Sequence, residues 1–461
     1  MILRLAIRSL ATRPVRTAVL ACGFGFGIAV MAALLGVGAV ILEQAHSPAL
    51  AGGGDLVILG RFGRVESARF VIASVLGSPD LASRAVAVSP SKNASLYLLT
   101  GATPIEVDAT GVIPSLERVL GGHEIAHLPE WVDAPADRVW SSPAPGDVLR
   151  AMDRFHPIPA IPEFSASWAE WLYFNGHTAD GTLRFYLTFF VGPASVPGRR
   201  VAGVRLQLER EGKTATYSAG AEIDGARLLE TAPDLDIAGN RVRLEGLRYR
   251  IELSLPGAAG ELALDAAPGR SLPPATLRGA RGWLSGYAAP VLSGTLRGTL
   301  TVRSDRIAFE NAAGYHDHNW GFWKGVRWQW GQVAQGDLSV IYGRVFPPAD
   351  VADPERVPGF LGVLGPQGPL GFSTAVSIEE QSAADGHPGR VLVHARGRSL
   401  DLRLTFAVDR SVRTAMPMMR PGIGPALDVL QLAGEYAVTG KVGDRALDFT
   451  ARGAAETFRP R

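Results

Sequence analysis

Cysteine is nearly absent: Cys22 is the single one in 461 residues. An internal disulfide and any cysteine-based zinc cluster are thereby excluded. A surplus of charge is missing too. The formal net charge is +2, and the arginines are scattered apart from an N-terminal group, which argues against a nucleic-acid binder. No glycine-rich phosphate loop is present, and strands do not alternate with helices. A P-loop or dinucleotide-binding enzyme is therefore not expected. Charged residues make up 20% against 47% hydrophobic, so most of the chain should fold, and its length suits two or three domains.

Charge disappears altogether over residues 17–42, TAVLACGFGFGIAVMAALLGVGAVIL. That run exceeds the ~20 apolar residues that span a bilayer. Arg4, Arg8, Arg13 and Arg16 precede it; Glu43 and Asp55 follow. The positive-inside rule then predicts a single-pass inner-membrane anchor, with a cytoplasmic N-terminus and extracytoplasmic (periplasmic) domains beyond it. A cleaved signal peptide, with Ala49-Leu50-Ala51 as its cleavage site, is the competing reading.

The first 125 residues carry a resemblance. LRLAIRSLATRPVRTAVLACGFGFGIAVMAALLGVG (3–38), then GGGDLVILG (52–60) and ATGVIPSLERVLGG (109–122), resemble the start of FtsX/MacB-type ABC-transporter permeases. The later helices of such permeases do not follow. The resemblance implies an anchor shared with a permease, and an ABC exporter as a partner. Residues 128–165 are proline-rich and read as a linker with extended segments.

From about 166 onward the texture is that of strands. TLRFYLTFFVG (182–192), RVAGVRLQLEREG (200–212), TATYSAGAEI (214–223), RVRLEGLRYRIELSL (241–255) and GELALDAA (260–267) alternate apolar and polar residues. A Gly/Pro-rich bridge (268–290) follows, and then the pattern resumes to the end. Short strands at regular spacing predict a mainly β chain of antiparallel sandwiches or barrels.

Two motifs carry candidate chemistry. In SWAEWLYFNGHTADG (167–181), side chains alternate faces, so Trp171, Tyr173, Asn175 and His177 share one face, and Glu170, Leu172, Phe174 and Gly176 the other. The first face, aromatic and polar together, suits a large hydrophobic ligand. A buried strand with satisfied polar groups is the plainer reading. In GYHDHNWGFWKGVRWQWGQ (314–332), Tyr315, Asp317 and Asn319 share one face and His316, His318 and Trp320 the other. Four of the nine tryptophans, Trp320, Trp323, Trp328 and Trp330, lie here. An acid among apolar rings holds its proton near neutrality, and aromatic faces shelter cations. That is equipment for protonating an alkene. His316 and His318 are also spaced as metal ligands on one face, without an evident third. A structural knot of polar side chains at a domain seam remains the third alternative.

EWLYFNGH (170–177), GYHDHNWG (314–321) and RWQWGQ (327–332) resemble the carotenoid 1,2-hydratase (hydroxyneurosporene synthase) and AttH-like family over about 165–461. GYAAPVLSGTL (286–296) resembles that family's link into the second motif. The resemblance implies two lipocalin-like β-domains, here 146–325 and 326–461, preceded by a transmembrane anchor (1–45) and a small α/β segment with linker (46–145). It implies no cofactor and no metal, and an isoprenoid, carotenoid or other lipid as ligand. His318 and Trp320 match the family's His-x-Trp pair, Asp317 the acid before it, and Tyr342 a tyrosine on the strand after the W.WG turn. With the strand-face reading, the catalytic candidates are Asp317, Tyr315 and His318, and the ligand-binding candidates are Trp171, Tyr173, Asn175, Trp320, Trp328, Trp330 and Tyr342. The hydratases carry an aspartate beside that tyrosine. Here Gly343 and Arg344 follow Tyr342, so the acid falls to Asp317, with Asp337 behind it. Two functions follow: an isoprenoid hydratase or cyclase, or a non-catalytic lipid-binding component of an ABC export system.

Overall fold

A computed structural model describes residues 15, 56–59, 65–100, 103–121, 133–267, 269–384, 386–415 and 427–460. The uncharged run 17–42 lies outside them. Among the described residues no helix is long and apolar enough to cross a membrane. The chain divides into two compact units, residues 1–63 with 86–141, and residues 64–85 with 142–461.

In the first unit β1 (Ser91–Thr100) pairs antiparallel with β2 (Thr103–Val112), and short helices run over Pro114–Val119 and Pro135–Ser141. This is the expected small α/β segment.

The second unit holds two sheets. The first contains β3 (Trp168–His177), β4 (Leu183–Val196), β5 (Arg199–Arg210), β6 (Lys213–Asp224), β7 (Leu235–Ile237), β8 (Asn240–Glu245), β9 (Arg248–Leu255), β10 (Ala258–Ala266), β11 (Leu272–Arg278), β12 (Leu284–Val302) and β13 (Asp305–Phe322). Their order is β6-β5-β4-β3-β13-β12-β10-β9-β8-β7, with β11 beside β12. The second contains β14 (Arg327–Gln335), β15 (Leu338–Phe346), β16 (Phe360–Gly365), β17 (Gly368–Ser373), β18 (Ala375–Ser382), β19 (Pro388–Arg396), β20 (Leu400–Ala415), β21 (Leu427–Val442) and β22 (Arg445–Pro460). Their order is β17-β16-β15-β14-β22-β21-β20-β19-β18. Each sheet curls into a nearly closed barrel, so the chain is mainly β with two lipocalin-like barrels, as expected.

Strand alternation sorts the apolar residues into three cores. Leu172, Phe174, Phe185, Phe189, Tyr249 and Phe309 fill the first barrel. Val340, Tyr342, Leu404, Phe406 and Tyr436 fill the second. Trp171, Tyr173, Tyr315, Trp330, Ile341 and Ala454 form a third core between them, drawn from both sheets. Gly331 shows how tightly the second barrel is filled. A methyl there would run into the Tyr342 ring and come within 2.5 Å of the Tyr436 hydroxyl. Gly331→Ala should lower stability by about 1–3 kcal/mol, the usual cost of overpacking, read as an earlier urea midpoint at unchanged slope.

The structure differs from the sequence reading at three places. Residues 133–165, the described part of the proline-rich stretch, are not irregular throughout. Helices span Pro145–Met152 and Pro162–Ser165, each with its proline in the first turn, where the missing N–H costs nothing. The run 241–255 is not one strand. It is the β8–β9 hairpin, Glu245 opposite Arg248, turning at Gly246 with φ 61°. Residues 272–278 within the Gly/Pro-rich bridge also form a strand, β11.

Candidate active site at the barrel seam

β3 lies directly against β13, which brings the two sequence motifs side by side. Asp317 is opposite Tyr173, Tyr315 opposite Asn175, His318 opposite Leu172 and Trp320 opposite Glu170. Since paired residues share a face, the motifs split into two groups on opposite sides of one sheet.

The face toward the second barrel holds Asp317, 5% exposed, and Tyr315, 1% exposed. The Tyr315 hydroxyl donates to Asp317 Oδ2 at 2.9 Å, and Asn319 Nδ2 donates to Oδ1 at 2.7 Å. Tyr287 Oη, from β12, lies 2.7 Å from Tyr315 Oη. Trp330 Nε1, from the second barrel, donates to Tyr287 Oη at 3.2 Å. The Trp330 ring packs against Tyr315 and edge-on to Tyr173. Trp171 lies beside Trp323 and stacks with Trp328. Asn175 is buried on the same face, and its Nδ2 has no hydrogen-bond partner among the described residues.

A second carboxyl enters from the other barrel. Glu456, on β22, is in register with Trp330 of β14 and with Gln431 of β21. On its other side Trp330 is in register with Gly343, where a Cβ would meet the Phe360 ring at 2.9 Å. The strand next to Trp330 that bears no acid is thus matched by one that does. Burial pushes the Asp317 carboxyl well above the usual range, and the Glu456 charge pushes it further; hydrogen bonds from Tyr315 and Asn319 offset only part. Burial raises Glu456 as well, against the Tyr173, Gln431 and Trp328 side chains placed to donate to it. Tyr287 and Tyr315 are held far above the usual phenol range by burial and by Asp317, so both stay neutral. Tyr287, Asn319, Trp328 and Glu456 are half-buried, whereas Tyr315 and Asp317 are buried. The half-buried four form the rim of the cluster and the buried two its floor.

The opposite face of β13 points into the end of the first barrel. His316 Nε2 lies 3.0 Å from Asp153 Oδ2 and its Nδ1 lies 2.9 Å from the Tyr173 carbonyl. Tyr249 donates to the same Asp153 oxygen at 2.5 Å. His318 Nε2 lies 3.0 Å from Glu170 Oε1 and its Nδ1 lies 3.1 Å from the Met152 carbonyl. His156 adds its backbone N–H and Nδ1 to Glu170, and its ring stacks on Trp320. Burial pushes Glu170 up, but the hydrogen bonds from His156 and His318 outweigh it and hold the carboxyl below its usual range. Burial likewise pulls His318 down, and Glu170 beside it raises it above the usual imidazole value. His156, Glu170 and His318 each offer a ligand atom within 4.8 Å of the others, a set that could take a divalent cation. As the groups stand, both nitrogens of His318 face oxygen acceptors. This network ties the segment 152–156 to β3 and β13.

The predicted site residues therefore separate. Asp317, Tyr315, Trp171, Tyr173, Asn175, Trp328 and Trp330 gather at the seam. His318 and Trp320 do not: they lie on the far side of the strand, and His318 cannot assist Asp317 directly. Tyr342 is not at the seam either. It is 1% exposed inside the second barrel, its hydroxyl 3.1 Å from that of Tyr436. Asp337 is a poor reserve acid, since Arg445 at 3.2 Å holds its carboxyl below the usual range at the surface. His316 and His318 hydrogen-bond different carboxylates, Asp153 and Glu170, although His318 Nδ1 also lies 3.7 Å from Asp153 Oδ1. Glu456 and Tyr287 were missed as site residues. Tyr287 stands within the bridge motif GYAAPVLSGTL, but Glu456 in GAAETF carries no local signal.

Fold and site together define a two-barrel, lipocalin-like protein with a buried acid at its seam. No family model matches the sequence, and no curated protein matches it. Among solved structures, the chain is similar to a protein assigned as AttH from Nitrosomonas europaea, with 16% identity over 66% of this chain and 99% of that one and a TM-score of 0.44. It is also similar to kievitone hydratase from Nectria haematococca (14% identity, 66% of this chain, 96% of that one, TM-score 0.42) and to CghA (12%, 67%, 94%, TM-score 0.44).

Proposed function

We propose that the chain binds an elongated apolar molecule, an isoprenoid, carotenoid or related lipid, at the seam between its barrels, and that Asp317 protonates it. The observation that supports this is a carboxyl that burial makes hold its proton more tightly than a free one, set among the rings of Tyr173, Tyr315 and Trp330 below a half-buried rim. Protonation of an alkene by Asp317 leaves a tertiary cation, which the aromatic faces stabilise. Water or an internal double bond then captures it, giving hydration or cyclisation. Glu456, whose charge acts on Asp317 across the seam, supplies negative charge beside the cation. No cofactor enters this chemistry.

The uncharged run 17–42 with its preceding arginines supports an inner-membrane anchor that places the barrels in the periplasm. The permease-like start supports work beside an ABC exporter. In that second reading the seam holds lipid for transfer and Asp317 is structural.

Lycopene is a suitable probe. Added to the full chain in detergent, it should quench tryptophan fluorescence saturably through Trp171, Trp328 and Trp330, and a hydrated product should accumulate on incubation. Saturable quenching without product would favour the exporter reading. Absence of both would remove the ligand site.

A further inference from the structure

We infer that Tyr287 and Tyr315 form a proton wire that reloads Asp317 from solvent. The inference rests on the reading of Asp317 as a proton donor, and it adds how the acid is regenerated.

Hydration is neutral in protons over a full cycle. The C–H bond forms with the proton of Asp317, the C–O bond forms with water, and the water proton is released. Asp317 is left as a carboxylate and must recover a proton before the next turn. At 5% exposure its direct route to solvent is closed. A hydrogen-bonded path is open. Three oxygens stand in line: Asp317 Oδ2, Tyr315 Oη at 2.9 Å and Tyr287 Oη a further 2.7 Å away. Tyr315 is 1% exposed, and Tyr287 is half-buried at the rim.

The wire has two settings. With Asp317 ionised, Tyr315 donates to the carboxylate and Tyr287 donates to Tyr315. With Asp317 protonated, the carboxyl donates to Tyr315, Tyr315 to Tyr287, and Tyr287 outward. A proton entering at Tyr287 converts the first setting into the second: each hydroxyl takes one proton and passes on another, so no tyrosinate forms and no charge is left behind. Trp330 fixes the register of the wire. Its indole has no acceptor, so its N–H, 3.2 Å from Tyr287 Oη, occupies one lone pair in both settings. Asn319 holds Oδ1 at 2.7 Å and leaves Oδ2 as the oxygen that receives the proton. The opposite side of β13 offers no such path, because His316 and His318 are committed to Asp153 and Glu170.

The test needs no substrate. A pH jump on the full chain, followed by infrared absorption, reads the carboxylic C=O band of Asp317, which Asp317→Asn identifies by its loss. Tyr287→Phe keeps the ring and removes the relay oxygen, and Tyr315→Phe does the same one step further in. Reprotonation should slow by roughly 10²-fold or more in each, the scale of a lost proton-transfer group. Tyr249→Phe, which removes a hydroxyl inside the first barrel and none of the three oxygens, should reload at the wild-type rate. Equal rates in wild type, Tyr287→Phe and Tyr315→Phe would overturn the wire while leaving Asp317 as the acid. Absence of any band assignable to Asp317 would overturn the donor reading itself.

Discussion

Asp317→Asn should abolish turnover of lycopene while leaving it bound. The amide keeps the shape of the carboxyl and can still accept from Tyr315, so the three-oxygen line and the aromatic wall persist. What is lost is the transferable proton, and general-acid groups typically contribute roughly 10²–10⁴-fold to rate. Saturable quenching at wild-type affinity together with that loss of product would assign the acid. Product formation at the wild-type rate would transfer the role to another group. Stability gives an independent readout. The fold raises the Asp317 carboxyl, so the native state holds its proton more tightly than the unfolded chain does. The wild type therefore has its full stability below the unfolded carboxyl value, ~3.9, and loses some of it as pH rises through the higher native value. Asparagine does not titrate. The stability of Asp317→Asn relative to wild type should rise with pH over that window and be flat below it.

The alternation of GYHDHNWG already separates Tyr315 and Asp317 from His316 and His318, since a strand turns neighbours to opposite faces. What alternation cannot say is what each face meets. The partner of Asp317 across the seam, Glu456, lies 139 positions away by sequence number and sits on the last strand, where the run GAAETF shows one acid among small residues. Only the register of β22 on β14 places it opposite Trp330. Tyr342 misled for the converse reason. It sits one position from the seam-facing side of β15, and that single step turns it into the second barrel's core. The histidines misled through their spacing, which is that of a ligand pair, while Asp153, the partner of His316, and Met152, whose carbonyl faces His318, stand in a proline-rich stretch that reads as linker. The barrels themselves were readable because short strands with glycine turns repeat over nearly three hundred residues. The helices Pro145–Met152 and Pro162–Ser165 were not, because proline marks a break in sequence and a first turn in structure.

The histidine half of the motif serves stability. Asp153→Ala should destabilise the chain by about 3–5 kcal/mol, the scale on which a buried pair suffers when one partner is removed. Asp153 has no exposed surface, and its Oδ2 takes both His316 Nε2 at 3.0 Å and the Tyr249 hydroxyl at 2.5 Å. Its Oδ1 lies 3.7 Å from His318 Nδ1. Alanine would leave the imidazole and the phenol facing a void beneath the stacked Phe174 ring, which lies 4.1 Å from His316. Both donors then lose the acceptor that offsets their burial, and each bears a desolvation cost. Tyr249→Phe removes one of the two donors and keeps the other paired, so it should cost only about 0.5–1.5 kcal/mol. Urea midpoints at constant slope measure both. A large loss for Asp153→Ala beside a small one for Tyr249→Phe, with lycopene quenching unchanged in the folded fraction of each, would make His316 and Asp153 the anchor of the barrel end. Loss of binding without loss of stability would move them into the ligand site instead.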